Sequence, residues 1–447
     1  MPVVSDPEDA KIDPAREPDL PAGERQTQDA ERAPPPSMTS GAPTASPSAL
    51  SLLREHRDFR RYVIGQTISV VGLWMQQVAQ AVVIIDLARD AAKNTSMAWV
   101  NVASSVPMVV FLLSGGVIAD RFDRRKVLIV TQIALAALAF VYAALVGTGA
   151  LQLSHVYVLA VLLGTVAAFD MPAVSAMVPQ LVPPESMAMA VAVNQAMFHG
   201  ARVLGPVVAG FLFKFTTPAM AFVANGVSYF AVIASLLIIR PRPVANRPSS
   251  GGWAAYKEGL RFAVREPKVR ALLGYTTIVA AFVFPFLIVF LPVFVKQVLQ
   301  SDNDGIGFAM AATGVGAVSG AIFLMLVRRR RGRWIVIAAL AVAASLALVS
   351  QARSIPVLML FCVPFSMGIS ATMGLSSTLV QALTPDHLRG RVMGLWAMIF
   401  VGAMPAGAFF LGPLADVIGL RLVLLMSAGA LVLIGIPWLW RQRVWHI

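Results

Sequence analysis

From Tyr62 onward the chain reads as twelve apolar stretches in series, at approximately 62–87, 96–119, 127–148, 153–176, 188–213, 219–239, 271–298, 305–327, 334–351, 355–378, 392–415 and 420–440. About 20 predominantly apolar residues are what a helix needs to cross the hydrocarbon core of a bilayer. A soluble core accommodates one or two helices this apolar. Twelve, with almost no polar sequence between them, require lipid as their solvent, and runs of this length satisfy their backbone groups there as helices. The expected fold class is all-α and integral to the membrane.

Composition agrees, with 57% hydrophobic and 13% charged residues where a soluble domain has roughly 45–50% and about 25%. The net charge of +13 does not mark a nucleic-acid reader, whose Lys and Arg gather on one solvated face of a polar fold. Here they form short clusters between apolar runs. The single cysteine, Cys362, sits inside such a run, which excludes a disulfide framework and a cysteine-based zinc site. Five scattered histidines make no metal-ligand cluster, so neither metal nor cofactor is expected.

Residues 1–50 are of another kind. They hold ten prolines, no aromatic residue, nine acids and four bases, a composition that buries too little apolar surface to fold. They lack the apolar centre of a secretory signal, and Met38 offers an alternative start. This segment is expected to be a disordered cytoplasmic tail.

Positively charged loops stay on the cytoplasmic side. With the amino terminus inside, the inner segments collect 25 Lys and Arg, among them Arg57, Arg60, Arg124, Arg125, Arg240, Arg389 and Arg391, and the outer segments six. Both termini are therefore expected in the cytoplasm of a multi-pass cell-membrane protein, and the basic balance reports topology. The longest connection divides the stretches six and six, and its part from Trp253 to Arg270 reads as a basic amphipathic helix lying along the membrane. The halves echo each other in Gln180–Glu185 against Gln381–Asp386, and in Gly205-Pro206 against Gly412-Pro413. The organisation expected is two pseudo-symmetric six-helix bundles, 51–240 and 271–447, joined by a linker at 241–270, with a cavity where they meet.

After the second stretch comes Gly116-Val-Ile-Ala-Asp120-Arg121-Phe-Asp123-Arg124-Arg125-Lys126. This resembles the loop signature of the major facilitator superfamily, departing from its usual glycine at Asp123. The resemblance implies that Gly116, Asp120, Arg121, Arg124 and Arg125 form a conformational switch. Positive-inside anchoring accounts equally for the arginines and is the preferred reading for Lys126. In the fifth stretch, Gly200-Ala-Arg-Val-Leu-Gly205-Pro206-Val-Val-Ala-Gly210 looks like part of the antiporter motif that exporters of the superfamily tend to carry. Gly72 to Ala79, Pro107, Asp170-Met-Pro172 and Thr384 to Gly394 together resemble the enterobactin-exporter branch. The likeness spans about 52–440 and implies proton-linked export of a small amphipathic compound.

Ionisable and polar groups at bilayer depth are costly and are candidates for function. Arg202 lies near the middle of the fifth stretch with Gln195 and His199 on the same face. It either holds an anionic substrate or a proton-carrying carboxylate, or locks to a structural carboxylate or to backbone carbonyls. His199 is a proton site or a hydrogen-bonded packing residue. Asp86, at the end of the first stretch, is a proton carrier or a solvated helix-end charge. Asp170 reads as a loop anchor ending the fourth stretch. Gln76, Gln77 and Gln80 share a stripe on one helix and are expected to face the cavity, for substrate or for neighbouring helices.

No Walker-type loop, Gly-x-Ser-x-Gly elbow or His-Glu-x-x-His helix appears, so the chain is not expected to be an enzyme. The expectation is a monomeric secondary transporter that exports a small amphipathic, siderophore-like or drug-like compound by proton-coupled alternating access. The alternatives are a lysophospholipid or other lipid carrier of the same fold, an importer, and a membrane-embedded enzyme acting on a lipid-linked substrate.

Overall fold

Polar and helix-ending residues punctuate the apolar runs, and each punctuation becomes a boundary. The structure, a computed structural model, describes residues 49–89, 92–240, 253–327 and 331–446, apart from the side chains of 112–121, 253–256 and 446. The predicted tail, up to residue 48, lies outside the described residues. The helices are α1 (Ala49–Glu55), α2 (Arg57–Leu87), α3 (Lys93–Arg121), α4 (Arg124–Gly147), α5 (Leu153–Leu181), α6 (Met187–Leu212) and α7 (Pro218–Ile238). There follow α8 (Trp253–Arg265), α9 (Pro267–Val298), α10 (Asn303–Leu326), α11 (Arg331–Ser350), α12 (Ile355–Leu383), α13 (Asp386–Ile418) and α14 (Leu420–Arg441).

Local chemistry sets these ends. Asp123 precedes α4 and its carboxylate accepts from the Arg125 amide at 2.9 Å, satisfying one of the donors a helix start leaves open. Gln152 and His155 make a reciprocal cap on α5. Pro218 and Pro267 open α7 and α9, where a missing N–H costs nothing. Pro267 also corrects one expectation: the amphipathic helix ends at Arg265, and residues 267–270 belong to α9. α5 and α12 run to Leu181 and Leu383, and α13 starts at Asp386. These helices carry polar turns beyond their apolar centres, because a helix does not stop where hydrocarbon does.

Each of the twelve predicted stretches coincides with one long helix. Ten of those helices are both long and apolar enough to cross a membrane. Of the other two, α6 has the length, at 26 residues, and carries more polar side chains, while α3, at 29 residues, has part of its length outside the described side chains.

Helix pairings repeat along the chain. In the first set α2 packs on α6 and α7, α3 on α5, and α4 on α5 and α7; in the second α9 packs on α13 and α14, α10 on α12, and α11 on α12 and α14. Two extensive cross-pairings join the sets, α6 with α10 and α3 with α13; more lightly, α2 also touches α9 and α10, and α3 touches α9.

Within each set small residues let backbones touch. Gly316 and Gly320 of α10 lie against the Val363 and Met367 carbonyls of α12, and Gly164 of α5 lies against the Ser104 carbonyl of α3. A Cβ on Gly164 would fall inside that carbonyl oxygen, and a backbone oxygen cannot rotate away. Gly164→Leu is therefore expected to lose most of the monodisperse protein recovered in detergent, as read by size-exclusion chromatography. Polar pairs join helices too: the buried Asn225 Nδ2 of α7 donates to Gln76 Oε1 of α2 at 2.6 Å.

Candidate functional site

The two cross-pairings meet near one face of the bundle, the face of the loops after α2, α4, α6, α9, α11 and α13. We call it the distal face, and the opposite one, carrying Arg57, Arg124, Arg240 and Arg389, the basic face. Where α6 crosses α10, a Cβ on Gly307 would stand 2.6 Å from the Pro206 carbonyl oxygen and 2.7 Å from Gly210 Cα. Phe211 and Phe308 meet edge to face with centroids 5.6 Å apart, and Lys214 Nζ lies 3.7 Å from Asp304 Oδ2.

Where α3 crosses α13, Trp99 meets Phe409 edge to face at 5.0 Å. One turn further toward the distal face, the Asp416 carboxylate takes four hydrogen bonds from the start of α3. Oδ1 accepts from the Asn94 amide at 3.1 Å and Asn94 Nδ2 at 2.9 Å. Oδ2 accepts from the Thr95 amide at 2.9 Å and Thr95 Oγ1 at 2.5 Å. These are the second and third amides of α3, the ones an N-cap side chain ordinarily takes. Asp416 caps α3 from a helix more than 300 residues away in sequence, and its charge complements the positive end of the helix dipole.

Toward the basic face the glycines of α6 and α13 lack such close neighbours. Gly200 of α6 and Gly390, Gly394 and Gly402 of α13 have open space where a Cβ would be. By contrast, Gly210, Gly307, Gly314 and Gly412 are each pressed on the other set.

A cavity of about 120 Å³ sits between the sets. Its polar lining is Gln77 and Gln80 of α2 with Asn101 and Ser104 of α3, and its apolar lining includes Ile288, Val289 and Pro292 of α9. Three π-helical turns, Val279–Val283, Phe286–Phe290 and Phe294–Val298, widen α9 here; Pro285 and Pro292 add missing donors. Turns of this kind recur at functional sites. A larger groove, about 570 Å³, opens between α4 and α5 among Phe122, Val127, Val130, Val166 and Phe169, away from this polar centre.

The predicted glutamine stripe divides. Gln77 and Gln80 line the cavity, whereas Gln76 corrects the expectation: at 100° per residue it turns toward α7, where it is buried and bonded to Asn225. On α6, Gln195 is exposed and His199 half-buried, with no hydrogen-bond partner for the buried His199 Nδ1. Arg202 lies over the Trp74 ring, its guanidinium carbon 5.5 Å from the centroid. Asp86 is exposed at the distal end of α2, within electrostatic reach of Lys296 and Lys93, and so lies outside the cavity. Asp170 does not end its helix, since α5 continues to Leu181; its Oδ1 accepts from Thr131 Oγ1 at 2.6 Å and Gln132 Nε2 at 3.0 Å. It ties α5 to α4.

Of the antiporter-like residues, Gly205 is pressed on Trp74 and Val71 of α2, Pro206 and Gly210 meet α10, and Gly200 touches nothing. In the loop signature, the surroundings of Gly116 and the side chains of Asp120 and Arg121 lie outside the described residues. Arg125 Nη2 donates to the Leu237 carbonyl at the end of α7 at 2.8 Å; Arg124 also has a partner. Asp123 has φ −59°, a conformation that needs no glycine.

Sequence reasoning missed Asp416, though a signal was there. Gly116, Ala119, Asp120, Asp123 and Arg125 are matched at identical spacing by Gly412, Ala415, Asp416, Gly419 and Arg421. In this second copy Gly419 does adopt φ +89°, which only glycine does at little cost. Arg421 repeats the role of Arg125, donating to the Ser350 and Ala352 carbonyls at the end of α11.

A family model described as transmembrane secretion effector matches residues 47–445, nearly all of the chain outside the tail. The multidrug efflux pump Tap of Mycolicibacterium fortuitum is 24% identical over 352 residues, 75% of this chain and 85% of that protein. The enterobactin exporter EntS of Salmonella typhimurium is 27% identical over 402 residues, 87% and 92% of the two chains. Among solved structures, the nucleoside transporter NupG superposes with a TM-score of 0.70 at 13% identity, covering 86% of this chain and 98% of that one. An inward-facing, occupied bacterial homologue of the lysosomal transporter Spinster gives 0.68 at 14%, covering 88% and 97%. With a polytopic helical fold, a polar cavity between its helix sets and a match over this length, the chain belongs to the transmembrane secretion effectors of the major facilitator superfamily, in the branch that holds the enterobactin exporters, and is a small-molecule transporter rather than an enzyme.

Proposed function

We propose that this chain exports a small amphipathic compound, siderophore-like or drug-like, across the cell membrane by proton-coupled alternating access. The Asp416 clasp carries the reading. It joins the two helix sets at the distal face, while glycines of α6 and α13 toward the basic face have open space beside them, in keeping with a transporter loaded from the basic side. Twelve crossings with both termini cytoplasmic make the basic face the inner one, in keeping with 25 inner against six outer Lys and Arg. The repeated helix pairings support two bundles, 51–240 and 271–447, rocking about a midplane site. One chain supplies both walls of the cavity, so a monomer suffices.

The matched spacing of the two signatures gives each face its own latch. Asp416 closes the outer face in the inward-open state. Asp120, with Arg121, Arg124 and Arg125, does the corresponding work at the inner face in the other state, while Gly205, Pro206 and Gly210 give α6 the closely packed hinge it turns on. Protonation of Asp86 or His199 changes the relative stability of the two states, and substrate changes it in the opposite sense; a ligand shifts such an equilibrium only by its differential affinity for the states. Export by Tap and EntS, as their names record, is a precedent.

In inverted vesicles whose lumen has been acidified, an amphipathic dye is expected to accumulate inside in exchange for protons leaving, and to leak back fully on adding an uncoupler. Accumulation that ignores the uncoupler removes the proton coupling; dye moving only the other way removes export.

A further inference from the structure

We infer that the compound carried bears an anionic group attached to a flat apolar body, and that Arg202 and Trp74 are its binding pair. The inference rests on the transport reading for the purpose of the site, and on separate observations for its chemistry.

Arg202 stands at the middle of α6, between α2 and α10: its own carbonyl and Val203 pack on Gly314, and its guanidinium lies over Trp74. The side chain is only partly exposed, and it makes no ion pair or hydrogen bond with any described residue. Ion pairs with Asp or Glu at Arg61, Lys214, Arg389 and Arg391 lie near the helix ends. A guanidinium at bilayer depth is expensive and is ordinarily matched by a carboxylate. Cation–π contact with Trp74 offsets a part of that cost, about 0.5–2 kcal/mol, and leaves the charge itself uncompensated.

The surroundings supply donors and no competing acid. Trp74 Nε1 is buried without a partner, as is His199 Nδ1 one turn from Arg202. Gln77, one turn from Trp74 on the same face of α2, begins the cavity's polar lining, and no carboxylate lines that cavity. A cation beside an indole and an imidazole, with the amide-lined cavity beginning one turn away at Gln77, is complementary to an oxyanion. The indole face and Phe198, which meets it edge to face at 6.1 Å, are complementary to a flat apolar surface. A cationic amphiphile would find no counter-charge here and would meet Arg202.

The probes are three molecules of one shape: naphthalene-2-sulfonate, its neutral isostere naphthalene-2-sulfonamide, and cationic 2-(2-naphthyl)ethylammonium. Binding is measured calorimetrically on the full chain purified in detergent. The sulfonate is expected to bind at least tenfold tighter than either of the others. Arg202→Gln is expected to remove that preference, and Arg202→Lys to keep a reduced preference, since an ammonium retains the charge and loses the flat stacking surface. If Arg202→Gln does not elute as a folded monomer, Arg202→Lys against Trp74→Phe carries the test: both must weaken the sulfonate and leave the sulfonamide within about twofold. Equal binding of the three probes, no binding of the sulfonate, or a preference that survives Arg202→Gln overturns the assignment. Energised efflux of a cationic dye by Arg202→Gln at the unsubstituted rate would do so as well while leaving the export reading standing, whereas loss of all energised efflux from the unsubstituted protein strikes the export reading instead.

Discussion

Asp416→Ala is expected to open the distal face. The carboxylate satisfies two backbone amides and two side-chain donors at the start of α3. Losing an N-cap costs about 0.5–2 kcal/mol, and a hydrogen bond to a charged group contributes about 1.5–3 kcal/mol. Water replaces part of this once the helices separate, so a net shift of about 2 kcal/mol is reasonable, or roughly thirtyfold in the ratio of the two states at 1.4 kcal/mol per factor of ten. The reporter is Gln80→Cys, placed in the cavity behind the clasp. The native Cys362 is fully buried and contributes no background. A membrane-impermeant thiol reagent applied from the distal side should label the reporter many times faster when Asp416 is alanine. Asp416→Asn should fall between, because its amide keeps one acceptor and turns a donor toward donors. Unchanged labelling in Asp416→Ala would show that the clasp holds nothing closed.

The fold was legible because one physical requirement, solvation by lipid, acts on every long segment alike; all twelve stretches found their helices to within a few residues. What failed was local. Pro267 ended the amphipathic helix early because the pattern of apolar residues runs through a proline that the backbone cannot follow. Gln76 parted from Gln77 and Gln80 because a stripe on a helix is wide enough to face two neighbours, and only the position of α7 decides which face is the inside of a bundle. Asp416 escaped notice because it reads as an ordinary helix-end acid until α3 is placed against it. Spacing alone could have found it: Gly412, Ala415, Asp416, Gly419 and Arg421 repeat the better-known signature with one telling difference. The second copy keeps glycine where φ is +89°, and the first has Asp123 where φ is −59° and a carboxylate can cap the next helix. Trp74, the floor under Arg202, entered only within the Gly72 to Ala79 likeness, since a tryptophan in an apolar run is ordinarily a packing residue.

The second large effect separates closure from folding. Gly307 lies where α10 crosses α6, and any Cβ there meets the Pro206 carbonyl oxygen and the Gly210 backbone. Overpacking costs about 1–3 kcal/mol when neighbours repack; here the obstacles are main-chain atoms and the whole leucine side chain must be housed, so the helices themselves have to move. Inverting a two-state population from 1:99 to 99:1 takes about 5.5 kcal/mol, within reach of a wedge of this size. Gly307→Leu is therefore expected to abolish transport by holding the distal ends of α6 and α10 apart. The clash lies between the helix sets and not inside either one, so the variant should elute as a folded monomer with a thermal midpoint within a few degrees of the unsubstituted protein, and the Gln80→Cys reporter should label from the distal side as it does with Asp416→Ala. Gly164→Leu, a tighter clash inside one set, is expected to lose the folded protein. If Gly307→Leu instead aggregates as Gly164→Leu does, the α6–α10 crossing is part of the folded core, and the distal contacts do not make and break during transport. If it transports at the unsubstituted rate, those helices never close as tightly as Gly307 permits.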